Sequence, residues 1–491
     1  MFSTFDTIVA IATPPGRGGL GVVRLSGPEA HRIARDLLAR DRDLEPRHAT
    51  FSLVRLPPSP RRLSPTPDAG GRPGASYDNE LPPPHERHSG GGSAFSPTSP
   101  SGDAIDQVVA TYFPGPASYT GDDVVELSAH GSPVVLRAIV TASIAAGARL
   151  AEPGEFTLRA FVNGRIDLMQ AEAVADLIDA VTPLQARAAF DQLHGTLTRT
   201  IGALDAALFD LIARLEASVD FPEEGYHFVD PNALATAVDT LLERTRSLLV
   251  DAQRGRLVRE GLQIAIVGKP NVGKSSLFNA LVGASRAIVT DRPGTTRDLV
   301  TEVVDLDGLR VTLVDTAGLR ETSDSIEAEG VERARRAQSV SDLILVVLDG
   351  ADPLDALDHQ IIIQTHDSKS LIVSNKSDLE PAWSRPDVLR ASARTLSGIP
   401  ELRQAIVAAL DVEPLKDRPE ITNVRHIALV QQAHDALLRG RAAAVSDDGS
   451  LSEEFVLADL QEARAAFEAI AGRRAGDEVL SHIFSRFCIG K

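Results

Sequence analysis

The chain has 491 residues, of which 43% are apolar and 24% are charged, proportions that are typical of a globular protein. Its formal net charge of 50 − 68 = −18 argues against bulk, non-specific binding of nucleic acid. The length predicts about two to four domains. A single cysteine, Cys488, excludes an internal disulfide, and there is no basic leader and no apolar run of about 18 residues. We therefore expect a cytoplasmic protein without a signal peptide or a membrane-spanning helix.

An α/β pattern occupies the N-terminal part of the chain. Apolar segments bounded by Gly and Pro predict strands in residues 1–56 and again in 104–160, with helical segments among them. Between these ranges, residues 57–103 are rich in Pro, Gly and Ser and hold too few apolar side chains to offset the entropy of ordering. We predict that 57–103 is a disordered insertion; the alternative, a Pro-rich ligand for a partner, has no sharp motif behind it.

Helical periodicity begins at Leu168. Two apolar stripes predict the core of a helix bundle. The first consists of Val174, Leu177, Ile178 and Val181, and the second of Leu204, Leu208, Leu211, Ile212, Leu215 and Val219.

Strand patterns return near residue 262 and alternate with helical segments, which predicts a buried parallel sheet. From about residue 425 the pattern is helical again. The predicted fold is a multidomain α/β + α chain. Its predicted domains are an N-terminal α/β domain over 1–162, a discontinuous helical domain over 163–258 and 415–491, and an α/β domain inserted over 259–414.

The segment GKPNVGKSS follows an apolar strand and opens a helix. Its spacing, Gly268-x4-Gly273-Lys274-Ser275, is that of a phosphate-binding loop, in which backbone N–H groups and a helix N-terminus surround a phosphate. Lys274 is placed to reach the β- and γ-phosphate oxygens, and Ser275 to coordinate Mg²⁺. The alternative interpretation is a plain tight turn between a strand and a helix.

Two further segments match the parts that bind the γ-phosphate. GTTRD supplies Thr296 for the Mg²⁺ shell, and DTAG supplies Asp315 for a metal-bound water and the Gly318 N–H for the γ-phosphate. In Ras-type enzymes a Gln after this Gly orients the attacking water, but this chain has Leu319. Either the chain cleaves GTP poorly, or the catalytic group comes from elsewhere.

The segment NKSD predicts selection of guanine. The Asp378 carboxylate can accept from both N1–H and N2–H of the base, Asn375 can hold the ring and the loop, and Lys376 can pack its stem over the base. In the later SAR segment, the Ala393 N–H can donate to guanine O6. NKSD alone also fits a solvated turn, but all the motifs in order predict an inserted P-loop (Ras-like) GTPase domain. The predicted GTP-binding residues are Asn271, Val272, Gly273, Lys274, Ser275, Ser276, Thr290, Asp291, Arg292, Pro293, Gly294, Thr295, Thr296, Asp315, Thr316, Ala317, Gly318, Asn375, Lys376, Asp378, Ser392, Ala393 and Arg394.

Four segments outside this predicted domain are also distinctive. They are DTIVAIATPPGRGGLGVVRLSG, PGPASYTGDDVVELSAHGSP, EPGEFTLRAFVNGRIDLMQAEAVADLIDA and the final FCIGK. Together with the GTPase motifs they resemble the MnmE/TrmE family of tRNA uridine-modification GTPases over nearly the whole chain. The resemblance implies an N-terminal folate-binding α/β domain that forms a homodimer, a discontinuous helical domain and the inserted GTPase domain.

The resemblance also implies a reaction and its partners. An FAD-dependent MnmG/GidA-type partner, which carries FAD and NADH, would form a heterotetramer with this protein. Together they would add an aminomethyl or carboxymethylaminomethyl group to C5 of the wobble uridine of certain tRNAs. The implied one-carbon donor is a reduced folate, 5,10-methylene- or 5-formyl-tetrahydrofolate.

Four positions match the family's folate contacts. They are Arg24, Glu126, Arg165 and the terminal Lys491. The family commonly has Lys where this chain has Arg165, which keeps the charge but changes the geometry. Cys488 has two interpretations: a reactive thiolate in the modification chemistry, or a small buried apolar side chain.

For hydrolysis, the resemblance implies a potassium ion in the position of an arginine finger. Its implied ligands are Asn271, Thr290, Arg292 and Thr295. The resemblance also implies that Glu327 aligns the attacking water, with Lys274 and the Gly318 N–H as further catalytic groups. Without the resemblance, Glu327 would be interpreted as a solvated glutamate at the start of a helix.

Two other functions remain open from the sequence. A regulatory RNA-binding switch GTPase of the ribosome-assembly kind would share the GTPase motifs and carry a KH-type Gly-x-x-Gly module on a basic C-terminal domain. A stand-alone folate enzyme with a GTPase regulator would catalyse without the FAD-dependent partner.

Overall fold

The computed structural model describes residues 5–38, 40, 42–55, 104–220, 230–284, 286–287, 300–306, 308–315, 341–410, 419–444 and 453–491. These residues belong to two compact units, one made of Met1–Arg165 with Leu480–Lys491 and the other of Ile166–Val479. The predicted insertion at 57–103 lies outside the described residues. Among the helices that are described, none is both long and apolar enough to cross a membrane.

The first unit is built on a six-stranded sheet in the order β3-β4-β5-β2-β1-β6. Its elements are β1 (Ile8–Ile11), β2 (Gly18–Ser26), α1 (Ala30–Leu37), β3 (Ala49–Arg55), β4 (Ala104–Phe113), β5 (Val124–Gly131), α2 (Pro133–Ala145), β6 (Arg149–Leu150) and α3 (Glu155–Val162). Apolar side chains of α1, α2 and the sheet form one buried core, among them Ile33, Ile139, Leu25 and Leu127. The α/β pattern predicted for this part of the chain is confirmed.

The last residues of the chain pack within this first unit. Ile489 forms an isolated antiparallel bridge with Pro153, and the Cys488 carbonyl accepts from the Gly154 N–H at 3.4 Å. These contacts place the final residues beside the loop that precedes α3. The C-terminal motif therefore lies near residues that are more than 300 positions away in sequence.

The second unit begins with a helical bundle. Its helices are α4 (Leu168–Asp179), α5 (Pro183–Leu193), α6 (Thr196–Asp220), α7 (Pro231–Glu260), α11 (Val424–Ala444) and α12 (Glu453–Ala471), and α13 (Asp477–Phe484) runs from this unit into the first. The second predicted stripe is confirmed, because its members on α6 from Leu204 to Leu215 are buried in the bundle core; Val219 at its end is partly buried.

The first predicted stripe, on α4, is wrong. Ile178 is 45% exposed, and Val181 lies beyond the end of the helix. The buried residues of α4 are Leu168, Met169, Ala171, Glu172 and Ala173. A glutamate therefore occupies the buried face, and an apolar pattern could not reveal it, because its burial depends on basic partners from a distant helix.

The second unit also contains the inserted α/β domain. Its elements are β7 (Leu262–Val267), α8 (Lys274–Ala284), β8 (Arg286–Ala287), β9 (Val300–Leu306), β10 (Leu309–Asp315), β11 (Leu343–Asp349), α9 (Ala356–Thr365), β12 (Ser370–Asn375), β13 (Leu389–Arg390) and α10 (Ile399–Ala409). The sheet order is β13-β12-β11-β7-β10-β9-β8. β9 pairs antiparallel with β8 and β10, whereas β10, β7, β11, β12 and β13 run parallel. The predicted buried parallel sheet is confirmed.

The hairpin of α4 and α5 contacts both chain segments that join the bundle to the inserted domain. On the outgoing segment, Gln185 donates to the Arg259 carbonyl at 2.9 Å, and Arg259 pairs with Asp176 at 2.7 Å. On the returning segment, Gln192 Nε2 donates to Thr422 Oγ1 at 2.6 Å. The two connections are therefore held by one pair of helices.

Candidate nucleotide-binding site and a second polar site

The loop between β7 and α8 has the backbone geometry of a phosphate-binding loop. Asn271 adopts φ +65° and Gly273 φ +92°, both in the left-handed region. A Cβ at Gly273 would lie 2.3 Å from Asn375 Nδ2, so only glycine fits between the two loops. The loop ends at Lys274, the first residue of α8, so the N-terminal end of a helix, which favours anions, lies at this loop.

Lys274 and Ser275 are placed at this helix start. Lys274 is buried, and its Nζ donates to the Lys269 carbonyl of the same loop at 2.7 Å. A bound nucleotide would offer that ammonium group phosphate oxygens instead. Ser275 and Ser276 are exposed in the first turn of α8, and the hydroxyl of Ser275 has the chemistry of a Mg²⁺ ligand.

Asn375 connects the phosphate-binding loop to the guanine-binding loops. Its Nδ2 donates to the Val272 carbonyl at 2.9 Å, and its Oδ1 accepts from the Ala393 N–H at 3.1 Å. The side chain is buried, so both polar atoms use protein partners. The Ala393 N–H, predicted to donate to guanine O6, lies at the site and already has the Asn375 oxygen as a partner.

Asp378 lies at the surface beside Ser392, whose hydroxyl donates to Asp378 Oδ1 at 2.6 Å. This hydrogen bond and the nearby charge of Arg394 hold the pKa of Asp378 below its usual value. The carboxylate is therefore ionised at neutral pH, the state that can accept from both guanine N–H groups. Ser392 in turn accepts from the Thr395 N–H at 3.2 Å, which fixes its own orientation.

One residue of this site was missed by the sequence analysis. Asp349, the last residue of β11, forms an ion pair with Lys376 of NKSD. The available signal was an aspartate that ends a wholly apolar strand shortly before the strand leading to NKSD.

Part of the predicted site lies outside the described residues. This part comprises Thr290, Asp291, Arg292, Pro293, Gly294, Thr295, Thr296, Thr316, Ala317, Gly318 and Glu327. Asp315 ends β10, the parallel neighbour of β7, as predicted for the start of DTAG. The structure therefore brings together the phosphate loop and the guanine loops.

A second group of predicted residues meets in the first unit. Arg24 on β2 and Glu126 on β5 are cross-strand partners: Arg24 Nε donates to Glu126 Oε1 at 2.9 Å, and Nη2 forms an ion pair with the same oxygen at 2.8 Å. Both contacts use the same carboxylate oxygen. Within the described residues no hydrogen bond reaches Glu126 Oε2, so that oxygen remains available to a ligand.

Aromatic rings and the C-terminal segment complete this second group. The Arg24 guanidinium lies 5.6 Å from the ring centre of Tyr119 and 5.7 Å from that of Phe156. Arg24 also donates to the Gly490 carbonyl at 3.4 Å, which brings the predicted Lys491 to the same region. Neither aromatic ring was predicted, although Tyr119 lies in the quoted segment PGPASYTGDD.

The other two predicted positions in the first unit are exposed. Arg165 is exposed, and its stem lies beside Gly121 in the loop that carries Tyr119. Cys488 is a free, exposed thiol, so the interpretation as a buried apolar side chain is wrong. The structure brings Arg24, Glu126 and the C-terminal segment together, and places Arg165 on the neighbouring loop.

The fold and the two guanine-binding loops define a P-loop GTPase whose G domain is inserted between helices. A family model described as the MnmE helical domain matches residues 168–488, and one described as the GTP-binding protein TrmE N-terminus matches residues 7–64 and 75–165. The chain belongs to the MnmE/TrmE family of tRNA modification GTPases.

Individual proteins are similar over the full length. The chain is 42% identical to the tRNA modification GTPase MnmE of Koribacter versatilis, with 99% of each chain covered. It is 38% identical to that of Aquifex aeolicus, covering 99% of this chain and 100% of the relative. Among solved structures, the FeoB G domain of Methanococcus jannaschii is 28% identical over 30% of this chain and 98% of its own length, with a TM-score of 0.24.

Proposed function

We propose that this protein is a potassium-dependent GTPase that acts with an FAD-dependent partner to modify tRNA. The pair adds a (carboxymethyl)aminomethyl group to C5 of the wobble uridine of certain tRNAs, with a reduced folate as one-carbon donor. The observation that carries the proposal is that the predicted phosphate and guanine loops are joined by hydrogen bonds, in a chain that matches one tRNA-modification family over its described length. GTP hydrolysis supplies a conformational drive for the modification.

The residues of the first unit support a reduced-folate site. A pterin carries an amino-pyrimidine edge with adjacent N–H donors, and an ionised carboxylate accepts from such an edge. Glu126 has one oxygen without a hydrogen bond, and the partly exposed ring of Tyr119 can stack on a flat heterocycle, whereas Phe156 is buried in the core and packs near Arg24. The donor set therefore fits the group, with Arg24 orienting the carboxylate and Arg165 and Lys491 available to the acidic tail of a folate.

Asn271 supports the proposed cation site. Its side chain is exposed, makes no hydrogen bond within the described residues, and is turned by a left-handed backbone. The other proposed ligands, Thr290, Arg292 and Thr295, and the proposed catalytic Glu327 lie outside those residues. A potassium ion held there would supply positive charge where negative charge develops between the β- and γ-phosphates. Leu319 replaces the Gln of Ras-type enzymes, so water alignment is assigned to Glu327.

An exposed thiol at Cys488 supports the proposal that this residue takes part in the modification chemistry. It lies in the terminal segment whose Gly490 carbonyl contacts Arg24. A homodimer would bring two such N-terminal domains together, and the MnmG/GidA-type partner would supply FAD and NADH. We assign the assembly to the cytoplasm.

The alternative function, a ribosome-assembly switch GTPase, requires a different fold in the C-terminal part of the chain. It needs a KH-type module, which combines helices with a sheet. In the described residues 419–444 and 453–491 the structure has three helices and the isolated bridge at Ile489, and no strand. This arrangement favours the tRNA-modification proposal.

The decisive experiment is nucleoside analysis of tRNA from cells that lack this protein. We expect loss of the modified wobble uridine by mass spectrometry, restoration by the wild-type chain, and no restoration by Asp378→Asn. Unchanged wobble uridine in the deletion strain would reject the proposed function. In a separate assay, replacing K⁺ by Na⁺ should strongly slow GTP hydrolysis by the purified protein, and equal rates would reject the cation site alone.

A further inference from the structure

Asp349 lies at the carboxyl end of β11, directly opposite Asn375 at the end of the parallel strand β12. The carboxyl ends of parallel strands form the edge at which open α/β sheets bind their ligands. β11 is apolar up to this residue and wholly buried, and the Asp349 side chain is 10% exposed. The carboxylate of Asp349 therefore lies at the carboxyl edge of the sheet, beside the predicted guanine loops but outside the motifs that define them.

Three contacts fix the position of Asp349. Its Oδ1 accepts from the Ala351 N–H at 3.0 Å, and its backbone carbonyl accepts from Trp383 Nε1 at 2.8 Å. Its Oδ2 accepts from Lys376 Nζ. One carboxylate oxygen thus holds the following turn, and the other is committed to the lysine of NKSD.

The backbone of Lys376 provides a second restraint on the same side chain. Its φ of +65° lies in the left-handed region, a conformation that residues with a Cβ keep only where the surrounding structure imposes it, often at ligand-binding sites. On the neighbouring strand the Gly350 N–H donates to the Asn375 carbonyl at 2.8 Å, and a Cβ at Gly350 would lie 2.6 Å from Ser374 Oγ. The two strand ends are close enough for the lysine to cross from β12 to Asp349.

We propose that Asp349 is a positioning residue for guanine nucleotides, because it holds the Lys376 side chain along the face of the base. With Nζ bound to Asp349, the aliphatic stem is ordered before the nucleotide arrives, so less rotamer entropy is lost on binding. Asp378 reads the hydrogen-bonding edge of the base, whereas Lys376 covers its ring face. Asp378 therefore sets the choice of base, and Asp349 sets the affinity for purine nucleotides in general.

The test compares full-length wild-type protein with Asp349→Asn. Asparagine keeps Oδ1 as the acceptor for the Ala351 N–H and removes the negative charge that faces Lys376. The measured quantities are the Kd values for fluorescent GDP and for IDP, which lacks the N2 amino group. We expect both affinities to fall about tenfold with their ratio unchanged. Asp378→Asn, in contrast, should change the ratio.

A matched control removes a carboxylate from the other end of the same strand. Asp342 precedes β11, and its Oδ2 accepts from the Gln263 N–H at 2.8 Å. Asp342→Asn should leave both Kd values within about twofold of wild type, because it lies far from the carboxyl edge.

Lys376→Met tests the pair from its more exposed side and retains an apolar stem without the ammonium group. It should weaken GDP binding as Asp349→Asn does, and the double variant should bind no more weakly than Lys376→Met alone. Unchanged GDP affinity in Asp349→Asn, additive losses in the double variant, or a GDP-to-IDP ratio that shifts as in Asp378→Asn would each overturn the proposal. If Asp349→Asn does not fold, unchanged GDP affinity in Lys376→Met would overturn it.

Discussion

Two glutamates, Glu126 in the first unit and Glu172 in the second, each face an arginine that is distant in sequence, yet their bonding differs. Glu172 accepts from Arg425 Nε at 3.0 Å and Nη2 at 2.9 Å and from His426 Nε2 at 2.5 Å, so both its oxygens are used. Glu126 accepts from Arg24 through one oxygen only. The Glu172 side chain is 7% exposed, and the Glu126 side chain is 29% exposed.

The difference separates a structural carboxylate from one that can bind a ligand. Burial alone would raise the pKa of Glu172, but the hydrogen bond from His426, its charge and the Arg425 guanidinium outweigh burial and lower the pKa to about 2. Glu172 therefore joins α4 to α11 as an anion at neutral pH. Glu126 keeps one oxygen without a hydrogen bond on a partly exposed side chain, an arrangement suited to an incoming donor group.

The largest expected effect follows removal of the Glu172 carboxylate, both of whose oxygens accept hydrogen bonds. Glu172→Ala leaves Arg425 and His426 in a buried site without their anion, so we expect the free energy of unfolding to fall by about 3–5 kcal/mol. Urea unfolding measures the loss, and hydrogen exchange should locate it in α4 and α11. Glu243→Ala, an exposed glutamate on α7, should change stability by less than about 0.5 kcal/mol. A similar small loss for Glu172→Ala would contradict the structural role.

A second prediction concerns the pH dependence of that stability. Because the pKa of Glu172 is lowered from 4.5 to about 2 by folding, its contribution is fully present above pH 4.5 and is lost as the pH falls toward 2. Gln mimics the protonated side chain, so the stability difference between wild type and Glu172→Gln should shrink by up to ~3 kcal/mol over that window. Unfolding curves at about pH 6, 4 and 3 measure it. A constant difference would refute the assignment.

The partly exposed Glu126 should behave in the opposite way. Glu126→Gln keeps the shape and one acceptor oxygen but removes the charge, so we expect the Kd for 5-formyl-tetrahydrofolate to rise about tenfold, as for loss of a charge-assisted hydrogen bond. The free energy of unfolding should fall by less than about 1 kcal/mol, because the pair is partly exposed. Calorimetric titration measures the affinity, with Glu152→Gln as an exposed control in the same unit. Strong destabilisation with unchanged folate affinity would make Glu126 structural, like Glu172.

The smallest expected effect concerns Arg165. Arg165→Lys keeps the positive charge beside the Tyr119 loop and removes the planar fork, so we expect the folate Kd to change by about two- to threefold and stability to stay within about 0.5 kcal/mol. The same titration measures it, and Arg137→Lys on α2 serves as the control at another exposed arginine. A loss as large as that of Glu126→Gln would place Arg165 in direct contact with the ligand.

Local motifs predicted which loops meet at the candidate nucleotide site. The Gly268–Ser275 spacing and NKSD each require a particular backbone next to a strand end, and the structure places them on adjacent loops joined by Asn375. The α6 stripe was equally predictable because an apolar face repeats at the helical period. The ion pairs were not: Asp349 with Lys376, and Glu172 with Arg425, join residues whose spacing in sequence has no period to detect.

The sequence by itself determined the P-loop GTPase class, and it predicted the order of the domains and Asp378 as the residue that reads guanine, because each follows from residues close together in the chain. Only the tertiary structure decided the partners of charged side chains. Arg24 and Glu126 were predicted separately as ligand contacts and are bonded to each other, and the C-terminal segment reaches Arg24 from 466 residues away. Whether a charged group has all its hydrogen-bond partners or can still bind a ligand depends on every neighbour within hydrogen-bond distance. Folding alone brings those neighbours together.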